Sequence, residues 1–169
     1  FSMGRERMAE MGMVEIGMDQ YARSGDPLSE ALAARALHRN FMGFTAQYTA
    51  ALIGLGVSAL GHAGASYAQN EKSLQQYETR LAAGELPLQR GHAMSPDDQR
   101  VRRHLWNLMC ASKTQVGADE RELEWWRTAQ QRLLAAQRDG LVELDAEHIT
   151  ITPIGRAFLR QLCAALDPH

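Results

Sequence analysis

Hydrophobic and polar positions alternate in short blocks along the chain rather than in one long periodic run. Gly4 to Met11 has a helix-compatible pattern that stops at Gly12, and Met13 to Met18 is an apolar run of strand length, so the chain is predicted to open with a helix-strand unit. Such a unit cannot cover both faces of its strand, so it has to pack on the rest of the chain, on a second copy, or on a part outside this sequence. At Asp26-Pro27 a capping oxygen precedes a residue that lacks an N–H, and Leu28, Ala31, Leu32 and Ala36 keep one face apolar. This predicts a helix running to about His38. Two strands follow, Phe41 to Thr45 and Ile53 to Ala59, with a polar turn at Gln47 to Thr49. Glu71 to Ala83 then reads as a helix with Leu74, Tyr77 and Leu81 on its inner face.

From Ser95 the pattern becomes that of compact helices. Ser95 can cap, Pro96 suits a first turn, Asp97 and Asp98 favour the positive end of the dipole, and Val101, Leu105, Leu108 and Met109 form the inner stripe. Residues 118 to 138 predict a long helix with Leu123, Trp126, Leu133 and Leu134 inward. Leu141 to Leu144 and His148 to Ile151 read as two short strands around the acidic turn Asp145-Ala146-Glu147. Thr152-Pro153 starts a last helix with Ile154, Ala157, Phe158, Leu162 and Leu166 inward. Helix, helix, hairpin, helix is a winged-helix-like order. The expected class is α+β, with a soft boundary dividing residues 1–92 from 93–169.

The stretch from Asn40 to Asn70 stands apart. Gly43, Gly54, Gly56, Gly61 and Gly64 recur among small and apolar residues, with no acidic, Lys or Arg side chain between the two Asn ends. Glycines repeated in an apolar run mark bulges, left-handed backbone, or places where another group lies against the main chain. Such a stretch is expected to be buried or to face a ligand.

Its motifs are Leu37-His38-Arg39-Asn40, then F-x-G-F-T from Phe41, L-x-G-L-G-V-S-A from Leu52, and Tyr67-Ala68-Gln69-Asn70. Upstream stands IGMDQYAR (Ile16 to Arg23). Downstream come G-E-L-P-x-x-R-G (Gly84 to Gly91), D-D-x-x-x-R-R (Asp97 to Arg103), Leu108-Met109-Cys110 and DGLVEL (Asp139 to Leu144). Taken in order, these resemble the C-terminal third of the radical S-adenosylmethionine family of oxygen-independent coproporphyrinogen III oxidases, and the resemblance covers nearly the whole chain. It implies that residues 1–92 are the remnant helix-strand portion of a radical SAM barrel and 93–169 a mostly helical winged-helix-like C-terminal domain.

The resemblance also implies contacts. The residue matching Leu60 lies against S-adenosylmethionine at the barrel mouth, and those matching Phe41 and Met42 lie near a second such molecule or the substrate region. The family's usual Gln at Met42 and Tyr at Phe44 are replaced here, which removes polar handles. Gln20 stands where His is common, which removes a group that titrates near neutral pH. In the family, three thiolates of a C-x-x-x-C-x-x-C loop bind a four-iron four-sulfur cluster, but this sequence contains no such loop, and Cys110 and Cys163 have neither the number nor the spacing. They are read as buried helical thiols. The chain is therefore expected to hold no cofactor or catalytic residue of its own and to be inactive alone. The intact enzyme would use S-adenosylmethionine and the cluster to decarboxylate coproporphyrinogen III oxidatively to protoporphyrinogen IX. Expected partners are the rest of the barrel or a second copy, with a tetrapyrrole as substrate. The alternative is a stand-alone tetrapyrrole- or protein-binding module without catalysis.

Charge adds exclusions. Lys and Arg total 18 against 20 for Asp and Glu in 169 residues, so the net charge of −2 draws in neither nucleic acid nor an anionic membrane. The basic cluster Arg100, Arg102, Arg103 and His104 is opposed by Asp97, Asp98 and the acidic hairpin tip. Its arginines are expected to pair with nearby carboxylates or to line a seam, with no nucleic acid as partner. Two distant cysteines argue for reduced thiols and a cytoplasmic setting, and no apolar run is long enough to span a bilayer. Gly54-x-Gly56 with Gly61 lacks dinucleotide-site spacing, and the histidines lack metal-ligand spacing. Asp19 is expected to cap or to pair with Arg23, and Phe1-Ser2-Met3 is set aside as a remnant before a start.

Overall fold

The computed structural model describes residues 2–167, so Phe1 of the segment set aside lies outside the described residues. Helix α1 (Ser2–Glu10) and strand β1 (Met13–Gly17) form where the pattern places them. The strand is not an orphan. Met18 and Asp19 take left-handed φ values of 47° and 65°, and the turn folds β2 (Gln20–Arg23) back antiparallel, with Met13 opposite Arg23. Asp19 is thus a turn residue, a role its short polar side chain tolerates. The cap or ion pair to Arg23 is not formed among the described residues.

Asp26 caps α2 (Pro27–Ala33) as expected, its Oδ1 accepting from the N–H of Leu28 at 2.8 Å. The helix ends short of His38. Arg35 enters left-handed backbone at φ 55°, and the N–H of Ala36 bonds to the carbonyl of Ala31, which closes the last turn. The chain then extends so that Leu37 is buried, and His38 opens β3 (His38–Asn40), paired with β4 (Gly43–Thr45).

The next strands also differ from the pattern. Ile53 to Ala59 is a loop between β5 (Ala51–Leu52) and β6 (Leu60–Ala63), and the hairpin partner is β7 (Ser66–Asn70). After α3 (Leu74–Ala82), the Gly84 to Gly91 motif runs into β8 (Leu88–Ala93), completing a four-stranded antiparallel sheet in the order β5-β6-β7-β8. The glycines decide this arrangement by close approach. A Cβ on Gly61 would stand 2.7 Å from the Leu52 carbonyl oxygen, and one on Gly54 would stand 2.6 Å from that of Leu60. Leu74 and Leu81, expected inward on α3, are exposed, while Tyr77 is half-buried.

Ser95 and Asp98 open α4 (Pro96–Ala111) with a reciprocal cap: the Ser95 N–H donates to Asp98 Oδ2 at 2.8 Å and the Asp98 N–H donates to Ser95 Oγ at 3.1 Å. A strand that the pattern does not reveal, β9 (Lys113–Gln115), follows. The helix expected over 118–138 is divided into a 3₁₀ turn at Glu120–Glu122 and α5 (Glu124–Arg138), with an extended Leu123 between them. β10 (Val142–Leu144) and β11 (His148–Ile151) form the expected hairpin, and β11 also pairs with β9. A second 3₁₀ turn (Gly155–Phe158) precedes α6 (Leu159–Leu166). The tighter winding rotates each side chain further than an α-helical projection assumes, so Ile154 and Phe158 face solvent rather than the core. Leu134 is exposed as well. Leu108, Trp126, Leu133, Val142, Ile149 and Leu162 do share one core.

The chain groups into two compact units, one made of the residues up to Gln47 together with those from Val101 onward, the other of Tyr48–Arg100. The boundary drawn from sequence at 92/93 falls inside the second. The reason lies in the first unit: Ile16, Ala22, Ala31, Leu37 and Phe44 form a small core that shares Met18 and Met109 with the larger one.

Candidate functional site

The loop at 53–59 is the most constructed surface feature of the Tyr48–Arg100 unit. Asn70, itself buried, donates both hydrogens of its side-chain amide, to the carbonyls of Gly54 at 3.0 Å and Gly56 at 2.9 Å. The Gly56 N–H donates to Tyr77 Oη at 3.0 Å, the Ser58 N–H to the Glu71 carbonyl at 2.8 Å, and Gln69 Nε2 to the Ser58 carbonyl at 3.0 Å. Glu71 is fixed by Arg80 at 3.0 Å. So many anchors on seven residues hold a definite shape, and that shape turns Ile53 (82% exposed) and Leu55 (86%) outward. Burial of the whole glycine-rich stretch is therefore not observed. Its polar backbone is satisfied within, and its apolar side chains are presented.

Beside this loop is a cavity of about 460 Å³ whose walls include Leu52, Ile53, Leu55, Tyr67, Leu81 and Leu86. Its polar groups are few, among them His62, whose ring meets Tyr67 edge-on at 6.3 Å between centroids. An apolar chamber with a few directed polar groups suits an organic ligand better than an ion.

Leu60 begins β6 in this unit, opposite Gln69, and is 40% exposed. Phe41 (46% exposed) and Met42 (86%) sit together at the tip of the β3-β4 hairpin in the other unit, where the Met42 N–H donates to Asn40 Oδ1 at 2.8 Å. Hydrophobic side chains so placed offer contact area and no proton chemistry. The sequence places Asn70 at the end of the Tyr67–Asn70 motif and Tyr77 on the inner face of α3, but gives neither of them an anchoring role. The signal for Asn70 is its position at the end of a strand, just before the charged pair Glu71-Lys72, which is weak by itself.

Further polar groups lie along α4 and around His104. His104, fully buried, places Nδ1 2.9 Å from Thr114 Oγ1 and Nε2 3.3 Å from Glu120, and it lies against the Trp125 ring at 5.6 Å. Burial holds the imidazole below its usual range, against the pull of Glu120. Burial pushes the Glu120 carboxyl up, but the Gly117 N–H, His104 and Arg103 together outweigh that and hold it below the usual carboxylate range. The basic stripe is consumed locally, with Arg103 on Glu120, Arg100 on Asp97 at 2.7 Å and Arg102 over the Trp106 ring at 4.9 Å. Cys163 is buried and Cys110 half-buried, their thiols pushed up by burial to about 12 and about 11. Such thiols are neutral at physiological pH and poor cluster ligands. Among the described residues no group of three or more His, Cys, Asp or Glu is arranged to hold a metal ion, and no helix is long and apolar enough to cross a membrane.

No family model matches the chain. The solved structure of Escherichia coli coproporphyrinogen III oxidase, a radical SAM enzyme, superposes on 99% of the chain with a TM-score of 0.90 at 32% identity, over 40% of that enzyme's chain. The fold is therefore that of a segment of a radical SAM enzyme. Oxygen-independent coproporphyrinogen III oxidases from Escherichia coli, Pseudomonas aeruginosa and Thermostichus vulcanus are 34%, 36% and 33% identical to it over 96–97% of its length. The chain is therefore homologous to part of the length of the oxygen-independent coproporphyrinogen III oxidases. It spans 36% and 37% of the first two relatives and 52% of the third.

Proposed function

We propose that the chain is the C-terminal portion of an oxygen-independent coproporphyrinogen III oxidase and covers the substrate side of its catalytic barrel. In this reading residues 1–92 supply barrel-terminal elements and 93–169 a winged-helix-like domain. The observation that carries it is the presented loop: internal hydrogen bonds fix it, yet Ile53, Leu55 and nearby Leu60 are left uncovered, as expected of a surface made to meet another part of a larger enzyme. Leu60, with Phe41 and Met42, would supply apolar contact to S-adenosylmethionine or substrate. The intact enzyme, in the cytoplasm, would convert coproporphyrinogen III to protoporphyrinogen IX. Its four-iron four-sulfur cluster would be held elsewhere, because Cys110 and Cys163, half-buried and buried, are neutral thiols unfitted to it.

Association tests this. The purified chain, mixed with the Escherichia coli relative cut back to the part this chain does not match, is expected to form a 1:1 complex by light scattering. Charged variants Ile53→Asp and Leu55→Asp should abolish it. Two components that remain separate would refute the reading. A second reading, a stand-alone tetrapyrrole-binding module, is favoured by one observation, the 460 Å³ apolar cavity formed wholly within residues 48–100. Saturable tetrapyrrole binding by the chain alone, lost in a Leu86→Glu variant, would select it.

A further inference from the structure

A separate cleft of about 320 Å³ opens in the unit made from the two chain ends, and three of its lining residues are cations from three different elements. Arg35 follows α2, Lys113 opens β9 and Arg156 lies in the 3₁₀ turn before α6. None of the three has a side-chain ion pair or hydrogen bond among the described residues. One carboxylate, Glu15, also lines the cleft, but it is already bonded to Arg5 at 2.8 Å. Cys110 contributes a neutral thiol.

Part of this positive charge has a structural explanation. Leu32 and Arg35 mark the carbonyl end of α2, and Met109, Cys110, Ala111 and Ser112 mark that of α4. Each helix end carries roughly half a negative charge. Two such ends balance about one of the three cations and leave about two positive charges without a counterpart. The cleft also meets its occupant with side-chain cations and helix carbonyl ends, whereas phosphate sites are typically built from the N–H groups of helix N-termini. A carboxylate needs no helix N-terminus, since Arg side chains alone can hold it through two parallel N–H donors.

We propose that this cleft is a binding site for a small dicarboxylate, held by Arg35, Lys113 and Arg156. The proposal stands apart from the family reading, because it concerns a free ligand and the chain by itself. Glutarate is the probe, titrated into the full chain at constant ionic strength and followed by amide chemical shifts, with propionate and inorganic phosphate as parallel arms. The expected result is saturable 1:1 glutarate binding with shifts at Lys113 and Arg156, and at least tenfold weaker binding of propionate and of phosphate. Lys113→Gln and Arg156→Gln should each weaken glutarate binding about tenfold, the usual scale for losing one charge-assisted contact, at unchanged melting temperature. Arg127→Gln, outside the cleft, should leave it unaltered. Non-saturating shifts, phosphate binding as tight as glutarate, or equal affinity in the folded Lys113 and Arg156 variants would overturn the assignment. None of those outcomes would touch the family reading.

Discussion

Replacing Asn70 by Ala removes both hydrogen bonds that its amide donates to Gly54 and Gly56. A net value of about 1 kcal/mol for each bond gives roughly 2 kcal/mol, because the loop is solvent-facing enough for water to reach the released carbonyls. At 1.4 kcal/mol per tenfold, this raises the local opening equilibrium of residues 53–59 about 30-fold. The assay is native-state amide exchange. The N–H groups of Gly56 and Ser58, bonded to Tyr77 and the Glu71 carbonyl, should lose protection by that factor, while those of α5 stay unchanged. Asn70→Asp should be worse than Asn70→Ala at neutral pH, since an ionised carboxylate only accepts and would face two carbonyl oxygens. Less than a threefold change at Gly56 and Ser58, or an Asp variant milder than Ala, would refute the claim that Asn70 holds the loop.

Other consequences concern the larger core and its buried polar group. Gly155→Ala should destabilise by about 3 kcal/mol or more in urea unfolding, because the new Cβ would meet the Leu141 carbonyl oxygen at 1.8 Å. Leu162→Ala, at a site 3% exposed, should cost about 2–5 kcal/mol, and Phe158→Ala, at one 43% exposed, distinctly less; the reverse order would put the wrong face of the last turn inside. His104 is held below its usual value of 6.5, so between pH 7 and 5 the unfolded chain takes up a proton that the folded chain resists, and stability should fall as pH falls through that range. Glu120, held below its usual 4.5, adds a further loss at more acidic pH. His104→Asn should flatten the slope between pH 7 and 5, and an equally steep slope in that variant would assign the effect elsewhere.

The parts legible in the sequence are those fixed by local chemistry. The Asp26 and Ser95 caps, the apolar stripe of α4 and the hairpin around Asp145 announce themselves within a few residues. What was hidden depends on contacts distant in sequence. β9 is too short to show a period and exists because Thr114 pairs with Ile149. The breaks at Leu123 and before Leu159 replace helical turns with 3₁₀ geometry that an α-helical projection misassigns. At the candidate site, the glycines correctly pointed to close backbone approach, as Gly54 and Gly61 bear out. That the neighbouring Ile53 and Leu55 point outward follows from anchoring by Asn70 and Tyr77, which no local pattern encodes.

The central claim, that this chain completes an oxygen-independent coproporphyrinogen III oxidase, is tested most directly by a chimera in which it replaces the matching segment of the Escherichia coli relative. Anaerobic turnover of coproporphyrinogen III by the iron-loaded chimera is the measurement. The expected result is conversion to protoporphyrinogen IX, lost when Leu60 is changed to Asp although iron content and folding are retained. A folded chimera with its full iron content that never turns over coproporphyrinogen, or one indifferent to Leu60→Asp, would contradict it.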